Sequence, residues 1–246
     1  MKLEGKRVIV TAAAAGIGAA TLRSVVAAGA RVLAVDIDGP GLERGVAAVT
    51  TTAGRGTADT HVADVTIPDE AAGAVAAATR AMGGLDGLVN VVGGSRPGLT
   101  VGELPPSEWE RLLLLNLTAT YLMCHHAISA LERQGGAIVN ISSGAGVDGM
   151  PRNPAYCAAK AGVIGLTRAL AIDHGRAGVR TNCVAPGAVL TPLMERNRTP
   201  EEISAFGARS AMGRIGQANE IAAVVTFLLS DAASYVNGQT ISVNGG

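Results

Sequence analysis

Tyr156 and Lys160 lie four residues apart in Tyr156-Cys157-Ala158-Ala159-Lys160. On an α-helix, positions i and i+4 share a face, so the ammonium can sit beside the phenol. An opposite charge that close favours the phenolate. A free tyrosine titrates near ~10, and a tyrosine base working near neutral pH needs that value lowered. Tyr-x-x-x-Lys is also frequent on ordinary helix surfaces. The pair therefore needs support from the rest of the chain.

A second group could hold a dinucleotide. Thr11-Ala12-Ala13-Ala14-Ala15-Gly16-Ile17-Gly18 joins a β-branched run to a helical stretch. Small residues there let backbone approach a pyrophosphate, and a helix N-terminus offers it free N–H groups. A tight strand-to-helix turn would look the same. Asp36 sharpens the reading, because it ends the next strand twenty residues after Gly16. A carboxylate there accepts hydrogen bonds from an adenosine ribose 2′-OH and repels a 2′-phosphate. Neither Ala15 nor Ile37 supplies a base for that phosphate, so NAD is favoured over NADP. Asp38 reads as a solvated loop residue.

These groups must be positioned by a scaffold. The chain has 246 residues, 48% hydrophobic but only 2% aromatic, so the core is aliphatic. Twenty basic and 20 acidic residues cancel, which gives no single-sign field for nucleic acid or membrane. Cys124, Cys157 and Cys183 are widely spaced, arguing for reduced, buried thiols and against a disulfide framework or zinc site. Glu4, Lys6 and Arg7 interrupt the N-terminus, so no signal peptide is expected. No uninterrupted apolar run reaches spanning length. A soluble, cytoplasmic protein is the default expectation.

Apolar runs at Arg7–Val10, Arg31–Val35, Thr60–Ala63, Gly87–Val91, Ala137–Ile141, Arg180–Val184 and Thr240–Val243 predict seven strands. Alanine-rich helical stretches fall at Gly16–Ala28, Gly41–Thr51, Asp69–Met82, Ser107–Arg133, Pro154–His174 and Asn219–Leu229. The expected fold is α/β: a Rossmann-type, doubly wound, seven-stranded parallel sheet with helices on both faces. One domain, residues 1–246, is expected. Asn153-Pro154 reads as an N-cap and first helical residue, placing Tyr156 in a first turn. Thr199-Pro200-Glu201-Glu202 has capping-box form inside an irregular stretch near 190–216, a candidate substrate lid.

Further motifs recur in order. Thr11–Gly18 matches T-G-x-x-x-G-I-G, with Ala12 replacing the first glycine. Asn90-Val91-Val92-Gly93 matches N-N-A-G with two departures. Asn116 stands in a helix, and Ser143 precedes Tyr156 by 13 residues. Pro186-Gly187 and Thr191 match P-G-x-x-x-T, and Asn237-Gly238 through Gly246 looks like a last strand. On these residues the chain resembles the short-chain dehydrogenase/reductase family, single-domain branch, over essentially its whole length.

The resemblance implies a mechanism. Tyr156 would remove or supply the hydroxyl proton. Lys160 would lower the Tyr156 pKa and bond the nicotinamide ribose. Ser143 would bond the substrate oxygen, with Ser142 as the competing serine. Asn116 would help hold a relay water. Ala15, Gly16, Ile17 and Gly18 would hold the pyrophosphate. Asp36 would hold the ribose, Asp64 and Val65 the adenine. Asn90 belongs to the cofactor set, and Val189 and Thr191 would meet the nicotinamide amide. Ala12 raises the question of a positive φ. Val91 and Val92 are expected to alter cofactor affinity without abolishing binding.

The activity implied is NAD-dependent hydride transfer between a secondary alcohol and its ketone. A 3-oxoacyl thioester reductase is the neighbouring alternative, opposed by Asp36. A non-catalytic NAD-sensing scaffold would have no need for Asn116, Ser143, Tyr156 and Lys160 together. An ATP module would need Gly-Lys-Ser/Thr, which is missing from the loop. Arg96 and Arg152 are candidate clamps for a substrate carboxylate, or simply solvated. His125-His126 point to different helix faces and suit no shared metal. Trp109 reads as helix packing. The helices 112–131 and 155–171 are apolar around much of their circumference. The resemblance makes them a four-helix interface in a homotetramer; deep burial is the alternative.

Overall fold

The computed structural model describes residues 1–52 and 56–246. Its strands are β1 (Arg7–Thr11), β2 (Arg31–Asp36), β3 (Thr57–Val62), β4 (Gly87–Asn90), β5 (Gly136–Ile141), β6 (Val179–Pro186), β7 (Val189–Leu190), β8 (Gly216–Gln217) and β9 (Thr240–Val243). Its helices are α1 (Gly16–Ala27), α2 (Gly39–Thr52), α3 (Pro68–Met82), α4 (Pro106–Leu113), α5 (Ala119–Glu132), α6 (Gly144–Val147), α7 (Pro154–His174), α8 (Pro192–Asn197), α9 (Pro200–Gly207) and α10 (Ala218–Leu229). The main sheet runs β3-β2-β1-β4-β5-β6-β9, entirely parallel. The order reverses between β1 and β4. A crevice opens there beyond the carboxyl ends of the strands, the usual ligand position in such sheets.

Period-two alternation divides the strand residues between two cores. Val8, Val10, Val32 and Ala34 pack with α1, α2 and α10. Ile9, Leu33, Val35 and Leu88 pack with α3 and α5. Each valine, leucine or isoleucine among them, fully buried, contributes about 1.5–3 kcal/mol. Both faces are therefore apolar and the strands read as nearly continuous hydrophobic runs. β3 starts three residues before the expected run because its exposed Asp59 and Thr60 suit a polar sheet edge.

Two differences from the sequence reading bear on the site. The expected continuous helix 107–133 is interrupted by a π-helical turn, Leu114–Thr118, between α4 and α5. Asn116 lies inside it. Asn153 occupies the N-cap position of α7, but its side chain makes no capping bond; its Nδ2 lies 3.5 Å from Met150 Sδ. Of the thiols, Cys124 and Cys183 are buried and Cys157 only half-buried. The segments Pro106–Glu132 and Pro154–Ala177 are long and apolar enough to cross a membrane by length and composition. Here both pack on the sheet, with 39% of each apolar window buried.

Candidate active site

Four side chains converge at the carboxyl end of β5. Ser143 follows this strand and caps α6, accepting from Ala145 N at 3.2 Å. Tyr156 stands in the first turn of α7 and Lys160 one turn later, as helical spacing requires. The Lys160 Nζ lies 5.9 Å from the Tyr156 ring centroid and donates to Ile141 O at 2.9 Å. Lys160 is 3% exposed. Burial pushes its ammonium down from 10.5 to about 8.

The Tyr156 phenol moves opposite to the sequence expectation. Burial raises it, and a hydrogen bond with Ser143 only partly offsets that. The expectation of a phenol lowered by Lys160 is therefore corrected for the chain without ligands. Burial penalises the phenolate and the ammonium alike, and the Lys160 Nζ is turned toward Ile141 O.

The two serines separate clearly. Ser142 is buried and its Oγ donates to Lys160 O at 2.7 Å. It ties β5 to α7. Ser143 is the serine whose hydroxyl bears on Tyr156.

Asn116 holds a corner of backbone over this group. Its Oδ1 accepts from Gly94 N at 3.0 Å, and its Nδ2 donates to Gly94 O and Leu112 O, both at 2.9 Å. With the side-chain amide committed there, any relay at Asn116 runs through its main chain. Gly93 sits directly above. A Cβ at Gly93 would lie 2.7 Å from Asn116 Oδ1 and 2.9 Å from Lys160 Nζ. Only glycine lets the chain cross here.

The other end of the crevice is a cavity of about 330 Å³ whose walls include Ala12, Asp36, Ile37, Asp64, Val65 and Val92. Asp36 is held at its mouth, accepting from Ala14 N and Asp38 N, each at 3.0 Å. Asp64 Oδ1 accepts from Thr66 N at 2.9 Å and Thr66 Oγ1 at 2.7 Å. α1 has Ala15 at its N-cap, with no side-chain cap and no acidic residue in its first turn. Its first N–H groups are thus left for an external anion. A Cβ at Gly18 would meet Ala12 O, so the loop closes tightly on the helix. Ala12 has φ +51°, the left-handed conformation that glycine adopts without strain. A Cβ on Gly16 would lie 3.4 Å from Thr191 Cγ2, so the Val189–Thr191 segment borders the loop. Thr191 also caps α8, accepting from Met194 N at 3.2 Å. Carboxylate, uncapped helix end and cavity together fit a nicotinamide dinucleotide.

Residues 11–246 match a family model described as enoyl-(acyl carrier protein) reductase. A levodione reductase from Leifsonia aquatica is 37% identical over 97% of this chain and 92% of its own. D-threitol dehydrogenase from Mycolicibacterium smegmatis is 40% identical over 100% of this chain and 94% of its own. A crystal structure of levodione reductase matches with a TM-score of 0.94 at 35% identity, covering 100% of this chain and 98% of that one. The chain belongs to the short-chain dehydrogenase/reductase family. As such it is an oxidoreductase of CH–OH groups that uses a nicotinamide cofactor.

Other expected residues fall elsewhere. The Asn90 side chain points into the core, donating to Asn140 Oδ1 at 2.9 Å and Cys124 Sγ at 3.3 Å. Its Oδ1 is buried with no hydrogen-bond partner. Asn140 in turn donates to Thr167 Oγ1 at 3.0 Å, so a buried polar ladder joins β4, β5 and α7 beneath the site. Arg96 and Arg152 both face carboxylates already: Arg96 lies 3.7 Å from Glu108 and Arg152 3.0 Å from Glu103. Arg152 is thus no open clamp, whereas Arg96 is 65% exposed and its Glu108 is already held by Arg111 at 2.7 Å. His125 stacks on Tyr121 at 5.6 Å on an exposed face of α5. Arg111, Leu114 and Leu115 line the cavity and were missed. They precede Asn116 by one to five residues, a proximity that could have flagged them.

Proposed function

We propose that the protein is an NAD-dependent oxidoreductase interconverting a secondary alcohol and its ketone. The observation that carries this reading is the packing of Ser143, Tyr156 and buried Lys160 at one end of a crevice whose other end presents Asp36. NAD, when bound, takes up or returns the hydride. Ser143 holds the substrate oxygen by a hydrogen bond that strengthens as charge develops. The Tyr156 phenol exchanges a proton with that oxygen. In its protonated form it donates in reduction. In oxidation it must first lose that proton, so the oxidative rate rises with pH through the alkaline range. Lys160 lies close enough to both Tyr156 and the Gly93 crossing to join ribose and phenol. Asn116 fixes that crossing.

Asp36 supports NAD over NADP, since an added 2′-phosphate would meet a fixed carboxylate. Around the pyrophosphate we place Ala15, Gly16, Ile17 and Gly18; around the adenosine, Asp64 and Val65; at the nicotinamide, Val189 and Thr191. Residues 190–216, which carry α8 and α9, serve as a substrate lid within one domain of residues 1–246. The helices α5 and α7 keep exposed Tyr121 and Ile172, which supports their pairing across a homotetramer. A cytoplasmic location accords with this reading.

The 3-oxoacyl thioester reductase alternative has in its favour a 3-oxoacyl-[acyl-carrier-protein] reductase from Thermotoga maritima, 36% identical over 100% of this chain, and has Asp36 against it. NADH formation from NAD⁺ across secondary alcohols, diols, sugar acids, hydroxy acids and 3-hydroxyacyl thioesters separates the two. Turnover on a simple alcohol with NAD⁺ supports the reading. Turnover confined to acyl thioesters with NADP⁺ sinks it.

A further inference from the structure

Arg152 stands four residues before Tyr156, at the entry to α7, with φ +55°. A non-glycine residue there is strained by about 1–2 kcal/mol and must be held by its surroundings. Its holders all come from one distant loop. Its carbonyl accepts from Gly98 N at 2.8 Å and Leu99 N at 3.2 Å. Its Nε donates back to Gly98 O at 2.8 Å, and its Nη2 to Glu103 Oε2 at 3.0 Å. The same carboxylate oxygen accepts from Thr100 N and Thr100 Oγ1, both at 2.7 Å. Main chain and side chain thus join in one knot.

The other end of this loop is anchored as well. Gly94 is bonded by Asn116, and Gly93 lies against Lys160 Nζ. The segment 93–103 therefore runs from the Lys160 side of the site to the Tyr156 side. Ser95, Arg96 and Pro97 are exposed at its middle. Arg96 adds a looser hold through Glu108.

We infer that Arg152 is a positioning residue whose knot with Gly98 and Glu103 fixes the 93–103 loop as one wall of the substrate site. The inference rests on the oxidoreductase reading above. The Arg152–Glu103 pair is half-exposed, so each side-chain bond contributes modestly. Loss of the knot loosens the wall without unfolding the chain.

The test compares wild type, Arg152→Gly, Arg152→Lys and Glu103→Gln. Glycine removes the side chain and accepts the positive φ, so the fold is kept. Hydrogen exchange of peptides covering 94–104 and steady-state kinetics on the best alcohol are the two measurements. Expected for Arg152→Gly and Glu103→Gln are faster exchange confined to that loop and a KM raised about 5- to 10-fold. The kcat should stay within about twofold, with NADH affinity unchanged. Arg152→Lys, which keeps the charge, should recover part of the KM. Unchanged loop exchange overturns the inference, as does an unchanged KM with a loosened loop. If wild type turns over no alcohol, the oxidoreductase reading fails, and loop exchange alone then decides whether the knot holds the loop.

Discussion

Lys160 is the most informative residue to perturb, because burial works against its charge. Its ammonium falls from 10.5 to about 8 through desolvation. That fall corresponds to roughly 3 kcal/mol at about 1.36 kcal/mol per pH unit. Below pH 8 both folded and unfolded chains carry the charge, and the folded state bears the full penalty. Between pH 8 and 10.5 the unfolded chain binds more protons, so stability rises with pH. Lys160→Met removes the charge and keeps the length. It also deprives Ile141 O of its 2.9 Å donor, at a cost of about 1–2 kcal/mol. Without cofactor the variant should therefore be more stable than wild type at pH 7, by about 1–2 kcal/mol. For a chain of this size that is a rise in Tm of roughly 2–8 °C. The gain should shrink by about 2 kcal/mol, to zero or below, at pH 9.5. Urea unfolding of both proteins at the two pH values measures it. A difference that does not change with pH would show that the Lys160 ammonium is not desolvated, and the electrostatic picture of the site would fail.

Other perturbations probe the remaining parts of the crevice. Ala12→Gly should relieve the φ of +51° and, after glycine's extra unfolded-state entropy, raise stability by about 0.5–1 kcal/mol in urea unfolding. Ser142→Ala should lower stability by about 1 kcal/mol while turnover stays within about threefold, since its hydroxyl serves Lys160 O. Ser143→Ala should lower kcat by about 100-fold or more, since it removes the donor to the substrate oxygen. Asp36→Asn should move the NAD/NADP preference toward NADP by at least about tenfold, read as the ratio of kcat/KM for the two cofactors. An unchanged ratio would remove Asp36 from the ribose site.

The parts of the site legible in the sequence are those fixed by local periodicity. Tyr156 and Lys160 share a face because helices repeat every 3.6 residues. Asp36 is found by counting from a turn to the end of the next strand. The doubly wound sheet follows from apolar runs alternating with alanine-rich helices. What was not legible depends on contacts between distant residues. The Tyr156 phenol rises because packing buries it, and no spacing rule reports burial. Arg152 meets Glu103 across 49 residues of sequence, so a candidate clamp becomes a strap. Asn90 turns toward Asn140 because β4 and β5 are neighbours in the sheet. The π turn around Asn116 accompanies its bonds to Gly94, 22 residues earlier, and helix propensity alone shows nothing of it.

In the mechanism proposed above, Tyr156 handles the proton in a hydride transfer to or from NAD. The measurement is kcat for the best secondary alcohol with Tyr156→Phe, alongside NADH affinity by fluorescence. Loss of the phenol should cut kcat by about 100-fold or more while NADH binding stays within a few fold. Turnover by Tyr156→Phe at close to the wild-type rate, with cofactor bound equally well, would contradict it.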